Sequence, residues 1–420
     1  MRVVVVGSGG REHSIIWKLN QDKNVRKIFC IGENYAISKI CETIKPINED
    51  IENLVEQIIY LNPDLVVVGP EEPLNQGITD KLQKNNIKVF GPTKNASKIE
   101  SSKIFSKNLM IENNIPTSNA MSFENHGKSL QYANNKGYEN IVIKADGLAA
   151  GKGVFIPESQ HEMETVLKDL LVNKTLGKSG ESLLIEDKIF GPEVSVFCFT
   201  DGVNYSDLIA ICDYKRTFDN NIGPNTGGMG CYSPPEFWNN NLKEEIKKTI
   251  IEPTLLAMNK NMSPFKGMLY TGIMITQNGP KVIEYNCRFG DPECELIMPM
   301  LNNNVSEIFN EIAIGNLKSQ VAWEKKSSVC VVICSGGYPE KYNTGYKISG
   351  IDKLSERVTC FHSGTKEEKK QLVSNGGRVL VLTSLDTSIK KARENIYAEI
   401  DKIKFSNSFY RKDIALRAIE

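Results

Sequence analysis

The chain opens on Val3–Val6, an unbroken β-branched run, followed at once by Gly7-Ser8-Gly9-Gly10 and a helix-like stretch from about Arg11 to Asn20. A strand with no polar alternation implies burial on both faces, as in a parallel sheet covered by helices. Strand, glycine turn and helix in that order open a doubly wound α/β fold. The glycines allow close approach to the backbone, and the helix N-terminus favours an anion. A dinucleotide fingerprint needs glycine at position 12, where Glu12 stands, so the loop is a weak nicotinamide motif. Arg11 and His13 suit a small phosphorylated ligand; the plainer alternative is an ordinary first turn of an α/β domain. Further strands are expected at Lys27–Ile31, Leu65–Val68 and Lys88–Phe90. Leu65–Val68 runs into Gly69-Pro70-Glu71-Glu72-Pro73-Leu74. Ligands of open α/β sheets gather beyond the carboxyl ends of strands, so this loop and the Gly7 loop are placed to share one crevice.

Composition narrows the function classes. A chain of 420 residues is long enough for about two to four domains with sizeable cores. Lys+Arg and Asp+Glu both number 51, which leaves no basic excess for a polyanion and argues against a nucleic-acid binder. No apolar run reaches bilayer length, and the opening run is too short for a signal peptide, so no membrane partner is expected. The 10 cysteines are scattered without a CxxC pair, which points away from zinc ribbons and thioredoxin-type sites. Reduced thiols fit a cytoplasmic protein.

Gly91-Pro92 and a helical stretch at Ser101–Asn114 read as a domain transition. Ile141–Gly153, IVIKADGLAAGKG, is strand-like to Lys144 and then rich in small residues. It is not a P-loop, because Gly153 stands where Ser or Thr would bind Mg²⁺. It reads as a flexible lid over phosphates, with Lys152 at its tip and Lys144 as a fixed cation at the strand end. Leu183–Glu186 and Val194–Phe199 are strands, and Glu193 between them is placed to accept from ribose hydroxyls. The strand Leu208–Ile211 leads through Asp213-Tyr214-Lys215-Arg216 to GPNTGGMG at 223–230, where the glycines suggest a backbone cradle for an anion. Glu244–Asn259 reads as an amphipathic helix.

The densest chemistry lies at Val282–Glu293, VIEYNCRFGDPE. The apolar run Leu269–Ile275 and the turn Gln277-Asn278-Gly279 precede it, a hairpin signal. Strict alternation puts Val282, Glu284 and Asn286 on one face, Ile283 and Tyr285 on the other. A carboxylate and an amide so placed suit Mg²⁺, which completes its shell with phosphate oxygens and water. The turn Gly290-Asp291-Pro292 brings Asp291 and Glu293 close behind. The alternative is an exposed strand with ordinary surface charges. Beyond Trp323 a third domain is expected, with strands at Ser328–Ile333, Val358–His362 and Arg378–Leu382 and a helix at Asp386–Ile403. The turn Asn375-Gly376-Gly377 presents Arg378, suited to a phosphate.

Taken together, GSGGREH at 7–13, GPEEPL at 69–74, IKADGLAAGKGV at 143–154, GPNTGGMG at 223–230, RFGDPE at 288–293, NGGRVL at 375–380 and RKDI at 411–414 resemble the glycinamide ribonucleotide synthetase family of the ATP-grasp superfamily. The resemblance spans essentially the whole chain, and the ordered series is far more specific than any one motif. It implies a doubly wound N-terminal domain (1–100), an ATP-grasp domain (101–325) with a mobile lid at about 120–190, and a small C-terminal α+β domain (326–420). It implies ATP-dependent ligation of glycine to 5-phosphoribosylamine through a glycyl phosphate, in purine synthesis. The family's ATP pattern falls on Lys103, Lys144, Glu186 and Glu193, with Lys152 on the lid; its Mg²⁺ or Mn²⁺ ligands fall on Glu284 and Asn286. By the same resemblance Arg288 and Asp291 lie at the reacting end. Gly9, Gly10, Arg11, Glu12, Glu71, Asp213, Lys215, Asn225, Thr226, Gly227, Gly228 and Arg378 face the two smaller substrates.

The resemblance leads us to expect a monomer, with transient contact to the amidotransferase that makes the labile amine. The chain departs from the family at Tyr214, usually His, at Ser102, usually Gly, and at Lys188, where the adenine hinge is usually apolar. Two rivals are another ATP-grasp carboxylate–amine ligase and a nucleotide-binding oxidoreductase, the latter opposed by Glu12.

Overall fold

In the computed structural model, which describes residues 1–48, 50–149 and 153–419, the N-terminal strands form one parallel sheet. Its order is Glu42–Ile44, Lys27–Ile31, Arg2–Val6, Leu65–Val68, Val89–Phe90. Val3, Val4, Val5, Leu65, Val66 and Val67 are buried without residue, as the unbroken apolar runs require. Chain order reverses between Arg2–Val6 and Leu65–Val68, whose carboxyl ends carry the Gly7 and Gly69 loops. This is the switch point at which open α/β sheets bind ligands. The helix Gly10–Asn20 starts directly from the first loop with Arg11, Glu12 and His13 all buried. Glu12 fills the crevice: its Oε2 accepts from Gly9 N at 2.7 Å, and a side chain at Gly69 would collide with its carboxylate. An acid thus closes the space that a dinucleotide fold leaves open.

A second, antiparallel sheet runs Ala120–Phe123, Leu183–Asp187, Ile141–Ala145, Val154–Phe155. The helices His126–Lys136 and Gln160–Leu171 cover it, and Ile141, Ile143, Met163, Leu167, Leu183 and Ile185 give it a core of its own. The helix expected at Ser101–Asn114 runs Lys103–Glu112, and a separate helix, Lys94–Ser101, precedes it. Ser102 breaks them because its backbone is extended and its Oγ accepts from Phe105 N at 3.1 Å, capping the second helix.

Among the described residues the third sheet has nine strands, one of which, Ser408–Phe409, pairs with Ser327–Ser335 off the main path. It begins with the hairpin Gly279–Asn286 and Gly267–Thr276, continues through Glu193–Thr200, Ile209–Asp213 and Gly230–Ser233, and passes into Ser327–Ser335, Arg378–Asp386 and Thr359–His362. The strand Gly230–Ser233 pairs directly with Ser327–Ser335, so hydrogen bonding runs unbroken from the hairpin into the C-terminal region. That region also grips the first helix: His13 Nδ1 accepts from His362 N at 2.8 Å, with its ring edge-on to Phe361. Burial, aided by His362, pushes His13 down to about 3, so its imidazole is a neutral packing group.

Tyr214 turns away from the sheet's ligand side. Its hydroxyl accepts from Ala415 N at 3.0 Å, and the guanidinium of Arg411 lies 4.7 Å from its ring centre. Arg411 is almost wholly buried and pairs with Asp413, while its Nη1 donates to Arg216 O at 2.8 Å. The RKDI motif therefore anchors the Arg216–Phe218 and Ile222–Asn225 ribbon. Among the described residues no helix is long and apolar enough to cross a membrane.

Candidate active site

The hairpin strand does not alternate strictly. Gly272 pairs with Glu284 and Ile273 with Val282, which leaves Ile283 as an extra residue, a β-bulge. Val282 and Tyr285 consequently both enter the core, Tyr285 also reaching the edge of a cleft of about 390 Å³ that Ile283, Glu284 and Asn286 border. The expectation that Val282 shares the face of Glu284 fails for this reason; that Glu284 and Asn286 share a face holds. The bulge also exposes the carbonyl of Ile283, which accepts from Lys144 Nζ at 2.7 Å.

Lys144 is buried at the end of its strand, and its Nζ lies 3.1 Å from Glu186 Oε2. Lys107 Nζ approaches Glu186 Oε1 at 3.4 Å, and Ser118 Oγ donates to Oε2 at 2.9 Å. Burial alone would raise the Glu186 carboxyl, but Lys144 and Lys107 hold it below the usual range. Lys103 starts its helix beside the loop after Ile141–Ala145, donating to Gly147 O at 3.2 Å. Lys152 lies outside the described residues. Lys188 sits over the ring of Phe190, 5.6 Å away, while its backbone N–H donates to Asn140 O.

At the other end, Arg288 forks between two acids: Nε to Glu71 at 3.1 Å and Nη2 to Glu100 at 2.7 Å. Arg11 pairs with Glu12 at 2.7 Å, stands 3.9 Å from Glu71 and donates to Phe289 O. Arg378 pairs with Asp291 at 3.1 Å and donates to Gly227 O at 2.7 Å. Lys215 contacts Glu193 and stands 3.4 Å from Asp213. Burial opposes its charge, but Asp213 and Glu193 hold the ammonium well above its ordinary range.

The glycine-rich loop works differently from a cradle of free N–H groups. Thr226, Gly227, Gly228 and Met229 donate respectively to Lys215 O, Tyr338 Oη, Thr226 Oγ1 and Tyr214 O. Its glycines serve close approach: a Cβ on Gly227 would stand 2.9 Å from Arg378 Cζ, and one on Gly228 would press on Pro292.

Of the residues singled out from the sequence, Arg11, Glu71, Lys103, Lys144, Glu186, Asp213, Lys215, Thr226, Gly227, Glu284, Asn286, Arg288, Asp291 and Arg378 border this one cleft. Glu193 stands behind Lys215 and Glu12 behind Arg11. Asn225 is exposed on its ribbon, and Gly228 is packed against Pro292. Gly9 caps the first helix and Gly10 begins it, and a Cβ on Gly10 would overlap the Glu295 carboxylate and the Ser363 hydroxyl. Gly10→Ala should therefore cost about 1–3 kcal/mol of stability through overpacking, read as a lower midpoint in denaturant; an unchanged midpoint would mean the contact yields freely. Sequence reasoning missed Glu100, Lys107 and Tyr270 in the cleft wall. Glu100 and Lys107 sit on ordinary-looking helices, and only their tertiary partners mark them.

Among the described residues no three His, Cys, Asp or Glu side chains group around a metal position. Glu284 and Asn286 instead offer two hard oxygens beside two lysines, a set suited to a cation that takes its other ligands from phosphates and water.

The family described as phosphoribosylglycinamide synthetase matches the chain in three parts: its N domain at residues 1–100, its ATP-grasp (A) domain at 101–294 and its C domain at 328–417. The chain is 41% identical over 416 residues to the phosphoribosylamine–glycine ligase of Caldanaerobacter subterraneus, covering 99% of both chains. It is 39% identical to that of Halalkalibacterium halodurans, over 100% of this chain and 97% of the relative. It also matches the trifunctional purine biosynthetic protein adenosine-3 of Homo sapiens, 38% identical over 42% of that longer protein. The crystal structure of phosphoribosylamine–glycine ligase from Thermotoga maritima superposes with a TM-score of 0.85 at 30% identity, covering 99% of this chain and 100% of that one. A biotin carboxylase from Campylobacter jejuni shares the fold, with a TM-score of 0.75 at 16% identity over 97% of this chain and 92% of that one.

Proposed function

The chain belongs to the phosphoribosylglycinamide synthetase family, and on that premise we infer that it joins glycine to 5-phosphoribosylamine with ATP. The products are glycinamide ribonucleotide, ADP and phosphate, in purine biosynthesis. The observation that carries this reading is the single cleft. It holds phosphate-suited lysines and two hard oxygen donors, Glu284 and Asn286, at one end, and a fork of arginines and acids at the other.

The chemistry follows from the poor electrophilicity of a carboxylate. Glycine must first be activated by phosphoryl transfer, and the glycyl phosphate is then attacked by the amine; no Ser or Cys nucleophile is needed. Lys144 and Lys103 offset charge on the phosphates, and Arg288 does so at the acyl end. Glu284 and Asn286 would hold Mg²⁺ or Mn²⁺, which would supply neutralisation of the phosphates' charge. Glu186 holds Lys144 in place, and Glu193 is assigned to the ribose hydroxyls. The lid residues, Lys152 among them, keep water from the mixed anhydride. Arg11, Glu12, Glu71, Asp213, Lys215, Arg378 and the loops at Gly9–Gly10 and Asn225–Gly228 are assigned to the two smaller substrates. We divide the chain into a doubly wound N-terminal domain at residues 1–100, an ATP-grasp domain at 101–325 with a lid at about 120–190, and a C-terminal domain at 326–420.

The test is ADP release from ATP with glycine, with and without freshly made phosphoribosylamine. Full release is expected only with both. Release driven instead by a different carboxylic acid would assign another ATP-grasp ligase, and a nicotinamide-linked absorbance change would assign the oxidoreductase.

One substitution separates recognition from packing at the N-terminal loop. Arg11 is nine-tenths buried, and Glu12 behind it depends on the guanidinium. Arg11→Ala should raise the phosphoribosylamine KM by about one to two decades, the loss of a charged hydrogen bond, while ATP KM stays nearly constant. The melting temperature should also fall, because Glu12 keeps its burial without its partner. Equal rises in all three substrate constants would assign Arg11 to packing alone.

A further inference from the structure

Among the described residues seven carboxylates border the cleft: Glu71, Glu100, Glu186, Asp213, Glu284, Asp291 and Glu293. Five of them lie within ion-pair distance of a lysine or arginine. Among the described residues only Glu284 and Glu293 have no such partner. Glu284 is accounted for as a metal ligand. Glu293 is not used by the mechanism above, yet it is 4% exposed and opens the helix Glu293–Met300 straight after Asp291. Its carboxylate folds over Gly290, where a Cβ would overlap it. It therefore stands between Asp291 and Arg288 at the acyl end and the Asp213–Lys215 pair.

The second half-reaction needs a group of this kind. When the amine nitrogen attacks the acyl carbon, a C–N bond forms and the C–O bond to phosphate breaks. Phosphate leaves with that electron pair, and the nitrogen must lose a proton. We propose that Glu293 is the catalytic base that takes this proton from the attacking amine of phosphoribosylamine. The proposal rests on the ligase reading. The balance closes: a carboxylate becomes a carboxylic acid, the amine becomes an amide, and the acyl phosphate becomes phosphate. A carboxylate locked to a lysine or arginine would be a weak proton acceptor; Glu293 is spared that. Burial first, and then Asp213, push its carboxyl up to about 7, while Lys215 and Arg288 pull it down. A group poised there is ionised and still basic near neutral pH. Tyr270 on the strand Gly267–Thr276 and the Cys231 thiol on Gly230–Ser233 are titratable groups that also face it.

The experiment compares two acceptors of the same glycyl phosphate. Hydroxylamine attacks acyl phosphates without base assistance and gives a glycyl hydroxamate; phosphoribosylamine requires the base. Glu293→Gln should lose ligation to phosphoribosylamine by about 10²- to 10⁴-fold while hydroxamate formation from ATP, glycine and hydroxylamine persists. The rise of ligation with pH through about 7 should flatten in the variant. Glu293→Asp should recover part of the ligation rate. Melting temperature should be preserved in Glu293→Gln, since the amide fits the same volume without buried charge. Loss of both reactions in parallel, or of neither, overturns the proposal while a working wild type leaves the ligase reading intact. A wild type that makes neither hydroxamate nor amide overturns the ligase reading, and the proposal with it.

Discussion

Glu284→Gln should remove ligation almost completely, by about 10³-fold or more, the scale expected when a charge stabiliser at the transferring phosphoryl group is lost. Glu284 pairs across the hairpin with Gly272, and it reaches the cleft because the bulge at Ile283 resets the alternation of the strand. Among the described residues its carboxylate makes no ion pair; it supports the charge of the buried Lys103 only across a longer gap. Stability should stay within about 0.5 kcal/mol, as for substitutions that touch no core or network. Adding Asn286→Ala should deepen the loss little, because the two act as one donor set. The variant should also lose the protection from thermal unfolding that Mg²⁺ and ATP together give the wild type. Near-normal turnover at limiting Mg²⁺ would remove Glu284 from the metal site.

Arg288→Met should damage both activity and folding. The guanidinium joins Glu71, just beyond the parallel strand Leu65–Val68, to Glu100, whose Oε2 in turn accepts from Cys287 N at 2.8 Å. Removing one partner of a buried pair costs about 3–5 kcal/mol; Glu71 is partly exposed, which sets the expectation at the lower end. Activity should fall by about 10³-fold, since the same group stands at the acyl end. The stability loss carries a pH signature. Burial alone would raise the Glu71 carboxyl, but Arg288 and Arg11 hold it below the usual range. A depressed carboxyl contributes stability that is present above its unfolded value, about 4.3, and is lost as pH falls through the folded value. The gap in melting temperature between wild type and Arg288→Met should therefore narrow as pH drops from about 5 toward 3. A gap that stays constant over that range would mean Arg288 stabilises by packing rather than by charge.

Much of the scaffold was legible because it is written in local signals. The parallel strands Lys27–Ile31 and Leu65–Val68 stand at the bounds expected for them, since continuous β-branched runs and glycine turns are short-range features. The hairpin around Gln277-Asn278 was legible for the same reason. What escaped was set by distant chain segments. The bulge at Ile283 is stabilised by Lys144, far upstream. The loop at 226–229 reads as a free anion cradle until Lys215, Tyr214 and Tyr338 are seen to take its N–H groups. Tyr214 follows Asp213 directly, yet their side chains part: Asp213 borders the cleft and Tyr214 packs under Arg411 and Ala415. The departure from histidine thus falls in the C-terminal core rather than in the cleft. Glu100 and Lys107 carry no local mark at all; their roles exist only through Arg288 and Glu186.

The central claim is that ATP activates glycine as an acyl phosphate in this cleft before the amine attacks. The most direct measurement uses glycine labelled with ¹⁸O in its carboxylate, turned over with ATP and phosphoribosylamine. If glycyl phosphate forms, the bridging oxygen leaves with the phosphoryl group, and a single ¹⁸O atom should appear in each inorganic phosphate released. Phosphate that carries no label while glycinamide ribonucleotide accumulates would contradict the account.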